Sequence, residues 1–326
     1  MQIYGFNSYG GPEVQEYLEA PEPRAHGANA TTGAHGSTAP DDVVLIRPAA
    51  MGVNPGDIKV RSGERQGAFP VNFPMAFGRE AAGTVLHAPA ATGLTPGQRV
   101  FGSCAPGTGA LAEVVALTAE STTPTPEAVL DAHAATLPTA AGTAWDALHE
   151  LLQVNPNARR VLILGGGGGV GTFAIQMARH LGLEPTAVAS AGKELLVTRL
   201  GARWVDYAPD DSPSPTLTDR LHALTDQHGP FDALLDAAGG DTLTQAAPFI
   251  TPHAIRSAAD PAQARELGGG GVGRRRTKKI YGEIAELVND GAITPVISNE
   301  YPWNNAARAI KDIETGHATG NVIVRP

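Results

Sequence analysis

The chain contains a single cysteine, Cys104, among its 326 residues. One cysteine excludes a disulfide within the chain, and this usage is typical of reducing compartments. The sequence also lacks any apolar run of about 18 residues, so no membrane span is predicted. Its first residues, MQIYGFNSYGGPEV, lack a basic region followed by an apolar one, so export is not predicted. Together these absences favour a cytoplasmic protein.

Positive charge is scarce in this chain. It carries 24 Lys and Arg residues against 33 Asp and Glu residues, for a formal net charge of −9. A negative surface disfavours nucleic acid or an anionic membrane as the main partner. Hydrophobic residues make up 42% of the chain and charged residues 17%. This composition is ordinary for a globular protein, and the length is sufficient for two domains.

The most informative segment is VLILGGGGGVG, at 161–171. Its apolar residues predict a buried strand that runs into five consecutive glycines. The following residues, TFAIQMARHLG, have apolar side chains at helical spacing and end at Gly182, a helix stop signal. The segment therefore predicts a strand, a turn and a helix, with G-x-G-x-x-G spacing in the turn.

A turn without side chains lets the backbone approach a pyrophosphate closely. The helix N-terminus that follows adds free N–H donors and a partial positive charge. We therefore predict a dinucleotide site here rather than a merely flexible glycine loop. The expected contacts are Gly166, Gly167, Gly168, Gly169 and Val170.

The organisation of the chain changes near residue 126. Before it, short apolar runs separated by turn signals predict strands at 43–53, 81–88, 99–103 and 112–117. After it, a helical pattern at 128–152 precedes alternating strands and helices, with strands expected at 161–165, 186–190, 204–207 and 233–239. Repeated β-α units of this length predict a doubly wound parallel sheet with helices on both faces, the Rossmann architecture of the α/β class.

Two segments are expected to be surface loops. Residues 20–41 have almost no apolar content, and His26 and His35 in them are expected to be solvated rather than to bind metal or substrate. Residues 266–279, ELGGGGVGRRRTKK, are predicted to be a flexible basic loop, with phosphate contact as the alternative. Residues 253–260 are only weakly strand-like, and the tail is expected to return to the first domain.

Five segments together resemble the medium-chain dehydrogenase/reductase superfamily, in its zinc-independent quinone-oxidoreductase and enoyl-reductase branch. They are GVNPGDIKVRSG (52–63), PMAFGREAAGTV (74–85), LPTAAGTAWDAL (137–148), the glycine segment and GHATGNVIV (316–324). The resemblance covers nearly the whole chain. It implies a mostly β GroES-like catalytic domain at 1–125 and 279–326, and a Rossmann cofactor-binding domain at 126–278.

The resemblance also bears on metal. Zinc-using relatives place a cysteine and a histidine where this chain has Asn54 and Arg79, and their structural zinc lobe needs four cysteines. A guanidinium cannot ligate a cation, and an amide is a poor zinc ligand beside thiolate and imidazole. We therefore predict hydride transfer without a metal.

Cofactor preference is read from the second strand of the parallel sheet. An NAD site places an acid at its end, about 20 residues past the glycines, to bind the ribose 2′-OH. No carboxylate lies between 185 and 193, whereas Ser190 and Lys193 can bind a 2′-phosphate. In relatives a tyrosine after the third strand also reaches this phosphate, and Tyr207 is similar. NADPH is predicted; the alternative is an exposed lysine and a partly buried tyrosine without that role.

Several further residues carry mechanistic hypotheses from the resemblance. Asn54 is expected to orient nicotinamide or substrate, with a turn role before Pro55 as the alternative. Lys59 either donates to a substrate oxygen or points to solvent from a strand. Thr143 meets the nicotinamide or caps a helix. The remaining expectations are Ala238 and Gly239 lying close to the ring, Asn321 as a cofactor contact where lysine is usual, Asp57 bracing its loop, and Arg79 pairing with Glu80 or Asp57 or holding an anionic substrate.

The predicted function is an NADPH-dependent reductase of an activated C=C bond (an enone or enoyl group) or of a quinone, with a small-molecule substrate. Hydride addition to an enone develops charge on the carbonyl oxygen, which donors can stabilise, and a proton follows at the α-carbon. Two alternatives remain: a tailoring enzyme with an unusual redox or cyclisation step, and a non-catalytic NADPH-binding sensor. The resemblance also implies a homodimer.

Overall fold

The computed structural model describes residues 1–24, 43–207, 215–316 and 318–326. The chain divides into two compact units. Unit 1 comprises Met1–Thr139, Arg276–Asp290 and Ile297–Pro326, and unit 2 comprises Ala140–Arg275 and Gly291–Val296. The expectations for His26 and His35 lie outside the described residues.

Unit 2 is built on a parallel sheet. Among the described residues its strands, in spatial order, are Arg203–Asp206, Glu184–Ala189, Arg160–Leu164, Ala233–Asp236, Ile255–Ser257 and Gly270–Gly271. In chain order this is 3-2-1-4-5-6, and every pairing is parallel. The helices are Gly142–Val154, Gly169–His180, Glu194–Arg199, Leu217–His228, Gly240–Ala246 and Pro261–Glu266. The predicted Rossmann sheet is confirmed. Successive strands are added on one side of the glycine strand Arg160–Leu164 and then on its other side, and such folds bind ligands at the point where the strand order changes side.

Burial explains the strand sequences of unit 2. Leu162, Leu164, Val188, Leu234 and Ile255 lie at 0–1% exposure in one hydrophobic cluster. Strands covered on both faces read as continuous apolar runs rather than as alternating patterns. The apolar run at 161–164 is therefore a central strand.

Unit 1 is mostly antiparallel β structure. A three-stranded sheet joins Gln15–Glu19, Gln2–Phe6 and Met75–Ala76. A larger sheet runs Ile297–Pro302, Asn321–Arg325, Val43–Val53, Glu80–His87, Arg99–Ser103 and Thr123–Pro124, with Val115–Thr118 paired to Val43–Val53. Its helices are Pro55–Arg61, Asp131–Ala134, Lys278–Asn289 and Ala306–Glu314. The four predicted strands of this region are confirmed: 43–53 and 99–103 match the observed bounds, and the ends of the other two differ by one to three residues.

The helical pattern at 128–152 is not one helix. The structure has a short helix at Asp131–Ala134, a π-helical turn at Leu137–Ala141 and a long helix at Gly142–Val154. Pro138 has no N–H to continue a helical ladder. The next amide, Thr139 N–H, donates to Glu80 Oε2 at 2.7 Å instead of to a preceding turn. A contact distant in sequence thus breaks a locally periodic pattern.

The prediction of a flexible solvated loop at 266–279 is wrong for its centre. Gly270–Gly271 forms the sixth strand and pairs with Arg256 and Ser257. Glycine permits this approach, since a Cβ at Gly269 would lie 2.7 Å from Ile255 Cβ. The segment 253–260, whose sequence is only weakly strand-like, also contains a strand, at Ile255–Ser257.

The unit boundaries also differ from the predicted ones. Residues 126–139 belong to unit 1, where Thr139 binds Glu80, and the tail segment Gly291–Val296 belongs to unit 2. There Gln176 exchanges hydrogen bonds with the backbone of Thr294, at 3.0 and 2.8 Å.

Candidate cofactor turn and polar cluster

The glycine turn of unit 2 is a cradle with no room for side chains. Gly165 has a φ of +76°, which turns the chain sharply at the strand end. A Cβ at Gly166 would lie 2.7 Å from Ala187 Cβ, and one at Gly171 would lie 2.2 Å from Gly165 O. Real Cβ atoms do not approach this closely, so the turn requires glycine at both positions.

The cradle opens onto the start of a long helix. Gly168 is its N-cap residue, without a side-chain cap, and Gly169 and Val170 are its first residues. First-turn amides have no partner within their helix, and the helix dipole adds partial positive charge there. The predicted residues Gly166–Gly169 and Val170 are therefore together, and their chemistry fits the pyrophosphate of a dinucleotide.

Lys193 lies against this turn. A Cβ at Gly167 would fall 2.2 Å from Lys193 Cδ, so the lysine stem passes directly over the glycine. The side chain is half-buried, and burial lowers the pKa of Lys193. Ser190 begins the short 3₁₀ turn that ends at Lys193 and directly follows the strand Glu184–Ala189. Tyr207 follows the neighbouring strand and is exposed. Ser190 and Tyr207 thus follow the carboxyl ends of two parallel strands, and Lys193 lies against the glycine turn itself.

Ala238 and Gly239 follow the fourth strand in a turn held by a buried acid. Their amides donate to Asp236 Oδ1 at 2.9 and 2.8 Å, and Asp236 Oδ2 accepts from the Ser257 hydroxyl. The carboxylate thus fixes the backbone at this strand end. It also occupies the two amides, so any cofactor contact here is made by the small residues' surfaces rather than by these donors.

Thr143 is tied into an arginine cluster that sequence reasoning missed. It is buried in the first turn of Gly142–Val154, after the N-cap residue Ala141, so the predicted capping alternative is wrong. Its hydroxyl accepts from Arg274 Nη1 at 2.6 Å. Arg274 and Arg275 both pair with the fully buried carboxylate of Asp146, at 3.1 and 2.9 Å. The predicted solvated arginine run therefore carries two structural ion pairs.

A buried polar cluster in unit 1 surrounds Asn54. The side-chain Nδ2 of Asn54 donates to Glu80 Oε1 at 2.7 Å, and the backbone N–H of Asn54 donates to Asp57 Oδ2 at 2.8 Å. Asn54 is the N-cap residue of the helix Pro55–Arg61, which is the turn role predicted as its alternative. Asp57 braces this helix start, as the sequence analysis expected. Glu80 was missed as a hub, because its partners Asn54 and Thr139 lie 26 and 59 residues away.

Both carboxyl groups of this cluster hold protons more tightly than usual. Burial raises the pKa of Glu80 from 4.5 to about 7, although donation from Asn54 and Thr139 works against the rise. Burial likewise raises the pKa of Asp57 from 3.8 to about 6, opposed by the Asn54 amide and the charge of Arg79. Both carboxyl groups therefore have pKa values closer to neutral pH than ordinary Glu and Asp side chains.

Arg79 makes neither of its predicted pairs. Its guanidinium lies over the Phe69 ring, 3.6 Å from the centroid, and its buried Nε has no hydrogen-bond partner among the residues that the structure describes. Glu80 and Asp57 bind Asn54 instead. The pairing alternative is therefore wrong.

Two other predicted residues lie in unit 1. Lys59 is on the helix Pro55–Arg61 rather than on a strand, and its Nζ lies 3.2 Å from Glu64 Oε1. Asn321 is buried at the start of the strand Asn321–Arg325. Neither shares a unit with the glycine turn.

A metal centre is not assembled in the part of the chain that the structure describes. No group of three His, Cys, Asp or Glu residues there could hold a metal ion. Cys104 is buried, and burial raises the pKa of its thiol to about 12.

Two family comparisons cover most of the chain. Residues 40–127 match the alcohol dehydrogenase GroES-like domain, and residues 200–324 match the family described as zinc-binding dehydrogenase. The human protein named NAD(P)H oxidoreductase RTN4IP1, mitochondrial, is 31% identical over 86% of this chain and 81% of its own length. The chain belongs to the medium-chain dehydrogenase/reductase superfamily.

Other members of this superfamily agree with that placement. The tomato protein named 2-methylene-furan-3-one reductase is 27% identical over 88% of this chain and 72% of its own. A solved structure of mycobacterial Rv1454c complexed with NADPH superposes with a TM-score of 0.79, at 26% identity and full coverage of both chains. As a medium-chain dehydrogenase/reductase, the chain is an oxidoreductase with a GroES-like unit and a Rossmann unit. None of its described helices is long and apolar enough to cross a membrane.

Proposed function

We propose that this medium-chain dehydrogenase/reductase is an NADPH-dependent reductase of an activated C=C bond or of a quinone, working without a metal. The observation that carries the proposal is the side-chain-free turn at 165–171 with Lys193 laid over Gly167. The turn fits a pyrophosphate, and the lysine supplies a cation beside it. When bound, NADPH supplies a hydride to the acceptor.

Preference for NADPH over NADH rests on the end of the second strand. Ser190 and Lys193 stand there, and Tyr207 ends the adjacent strand. No acid between 185 and 193 repels a 2′-phosphate or binds a free 2′-OH. The NADPH complex of mycobacterial Rv1454c supports the same choice for this chain. Asn321 stays a predicted cofactor contact.

Absence of a catalytic metal is proposed from the chemistry of the donor set. Asn54 uses its amide nitrogen on Glu80, and Arg79 presents a fixed positive charge that repels a cation. Two of the positions that zinc-using relatives fill with ligands are thus unsuited to zinc. Lewis-acid activation of an alcohol is correspondingly disfavoured.

The chain's own residues have three tasks in this proposal. Asp236 fixes the backbone at Ala238 and Gly239, so a flat ring has a side-chain-poor surface to lie on. Arg274 holds Thr143 in place. Asn54 positions Glu80, whose raised pKa of about 7 suits a group that exchanges protons near neutrality. For Lys59, the ion pair with Glu64 favours the solvent-facing alternative.

The acceptor class draws on chemistry and on the relatives. Without a metal, the acceptor must itself be electron-poor, as a conjugated enone, an enoyl thioester or a quinone is. The tomato relative is named for reduction of a methylene-furanone, which is such an acceptor. The homodimer and the cytoplasmic location stay predictions; light scattering tests the first.

The test is oxidation of NADPH and of NADH by the purified protein with a panel of enones, enoyl thioesters and quinones, with identification of products. We expect turnover with NADPH and a saturated carbonyl product or a hydroquinone. NADPH binding without turnover across the panel would instead support the non-catalytic sensor, and a rearranged or cyclised product the tailoring enzyme.

A further inference from the structure

Arg79 stands out among the charged side chains that the proposed reaction has not used. It lies between the strands Met75–Ala76 and Glu80–His87 of unit 1. Its Nε is buried with no hydrogen-bond partner, and its guanidinium carbon is 3.6 Å from the centroid of the Phe69 ring. Within the described ranges it forms no ion pair with a carboxylate.

The buried Nε of Arg79, which has no hydrogen-bond partner among the described residues, carries an energetic cost. Burial of a charge is tolerated when the charge is paired, and each unsatisfied buried donor calls for an explanation. The two acids considered as partners for Arg79 are engaged elsewhere. Glu80 accepts from the Asn54 side chain and the Thr139 backbone amide, and Asp57 accepts from the Asn54 backbone amide. The folded unit therefore holds a cation in place without neutralising it through a direct contact.

The surroundings of Arg79 add positive charge. Burial is the largest influence lowering the pKa of Arg79, and the charges of Arg276 and Arg65 lower it further, against opposing influences from Cys104 and Asp57. Both neighbouring arginines are in unit 1 and exposed. In a chain of net charge −9, the positive charges of Arg65 and Arg276 that act on Arg79 favour an anion beside it.

Resting on the proposed function, we propose that Arg79 binds a carboxylate carried by the acceptor substrate, so that the preferred acceptors are anionic enones. A guanidinium is planar and matches a carboxylate with two parallel hydrogen bonds. Stacking on Phe69 holds that plane in one orientation.

The experiment compares two acceptors that differ in one group. They are 3-benzoylacrylate and 1-phenylbut-2-en-1-one, in which a methyl group replaces the carboxylate. In the wild type we expect a kcat/KM about tenfold or more higher for the anion, since a charged hydrogen bond contributes that much or more. Arg79→Gln lowers kcat/KM for the anion about 30-fold, chiefly through KM, and changes the neutral acceptor less than threefold.

Two further variants keep the result interpretable. Arg79→Lys retains charge but loses the planar fork, so we expect an intermediate loss for the anion. Arg47→Gln removes an exposed arginine of the same unit and is expected to leave both acceptors unchanged. Circular dichroism and thermal unfolding check that each variant folds. An equal loss for both acceptors, or a loss of NADPH affinity in place of the anion effect, overturns the proposal.

A binding measurement separates this site from the proposed reaction. Calorimetry with 3-benzoylpropionate, which has no reducible C=C bond, is expected to detect binding to the wild type and to Arg47→Gln but none to Arg79→Gln. If NADPH is never oxidised yet this pattern is found, the proposed function fails and the anion site stands. If NADPH is oxidised but 3-benzoylpropionate binds wild type and Arg79→Gln equally or not at all, the anion site fails alone.

Discussion

The glycine turn of unit 2 and the polar cluster of unit 1 differ in what they place at their sites: the turn presents backbone, and the cluster presents polar side chains. The turn removes side chains next to the start of a helix, whose first amides have no partner within the helix; a Cβ at Gly171 would lie 2.2 Å from Gly165 O. The cluster buries charged side chains, with Asn54 bonded to Glu80 at 2.7 Å and Arg79 left without a hydrogen bond at Nε.

The two regions should therefore fail in different ways. The turn is sensitive to added volume and indifferent to pH, because its donors are backbone amides. The cluster is sensitive to charge and proton occupancy, because burial raises the pKa of Glu80 and of Asp57. A turn that responds to pH, or a cluster that responds only to added side-chain volume, would contradict this comparison.

The largest effect is expected from Gly171→Val. Its side chain must enter space held by the backbone of Gly165 and Gly166, at 2.2 and 2.6 Å from the Cβ position. The side chain can enter only if the turn backbone that would hold the pyrophosphate moves. A loss of roughly 3 kcal/mol of binding free energy raises the Kd for NADPH about 100-fold. Isothermal titration measures it. Gly270→Val is the matched control, because the nearest atom to its Cβ is 3.9 Å away; equal weakening in both variants would remove the special status of the turn.

Glu80→Gln should change how stability depends on pH. The folded-state pKa of Glu80 is about 7 against an ordinary 4.5, so the native state binds more protons in that window. Its stabilising contribution is complete below pH 4.5 and is lost as pH rises through 7. We expect the free energy of unfolding of the wild type to fall by roughly 2 kcal/mol over this range relative to the variant.

Denaturant melts across the pH range measure this difference. Asp57 contributes with the same sign, because its pKa is also raised, so the slope is reduced rather than abolished. Glu64→Gln, at an exposed acid, is the control and should keep the wild-type slope. A Glu80→Gln variant with an unaltered slope would mean that Glu80 is ionised throughout.

Lys193→Ala should separate the two nicotinamide cofactors. If Lys193 pairs with a 2′-phosphate, its loss raises the Kd for NADPH about tenfold and leaves NADH within twofold. Lys311→Ala removes an exposed lysine of unit 1 as the control. Equal weakening of both cofactors would instead assign Lys193 to shaping the turn over Gly167.

The smallest effect is expected from Lys59→Ala. Its ion pair with Glu64 at 3.2 Å joins two partly exposed side chains, and such pairs contribute about 1 kcal/mol or less. We expect kcat to change less than threefold with NADPH and an enone. A fall in kcat of two orders of magnitude would instead support Lys59 as a donor to the substrate oxygen.

Sequence reasoning succeeded where the information is local. The strand, glycine turn and helix at 160–180 follow from apolar spacing and from residues that only a tight turn requires. The parallel sheet around them follows from repeated β-α units. Lys193 follows the next strand, as the sequence indicates, and its pairing with a 2′-phosphate stays a prediction.

The missed features all depend on contacts distant in sequence. Nothing near Asp146 reveals that Arg274 and Arg275, 128 and 129 residues on, would neutralise it. Nothing in the sequence around Arg79 reveals that Glu80 and Asp57 form hydrogen bonds with Asn54. The pair Gly270–Gly271 forms a strand without β-forming side chains, because the neighbouring strand admits a close backbone. Local patterns are silent on such pairings.

The central claim is hydride transfer from NADPH to an organic acceptor with no metal ion. It is tested most directly by exhaustively chelating the protein, measuring its zinc content, and then following NADPH oxidation with 3-benzoylacrylate on the same sample. The account predicts undiminished turnover with no bound zinc and no gain when zinc is returned. Activity that disappears on chelation and reappears with one zinc per chain would contradict it.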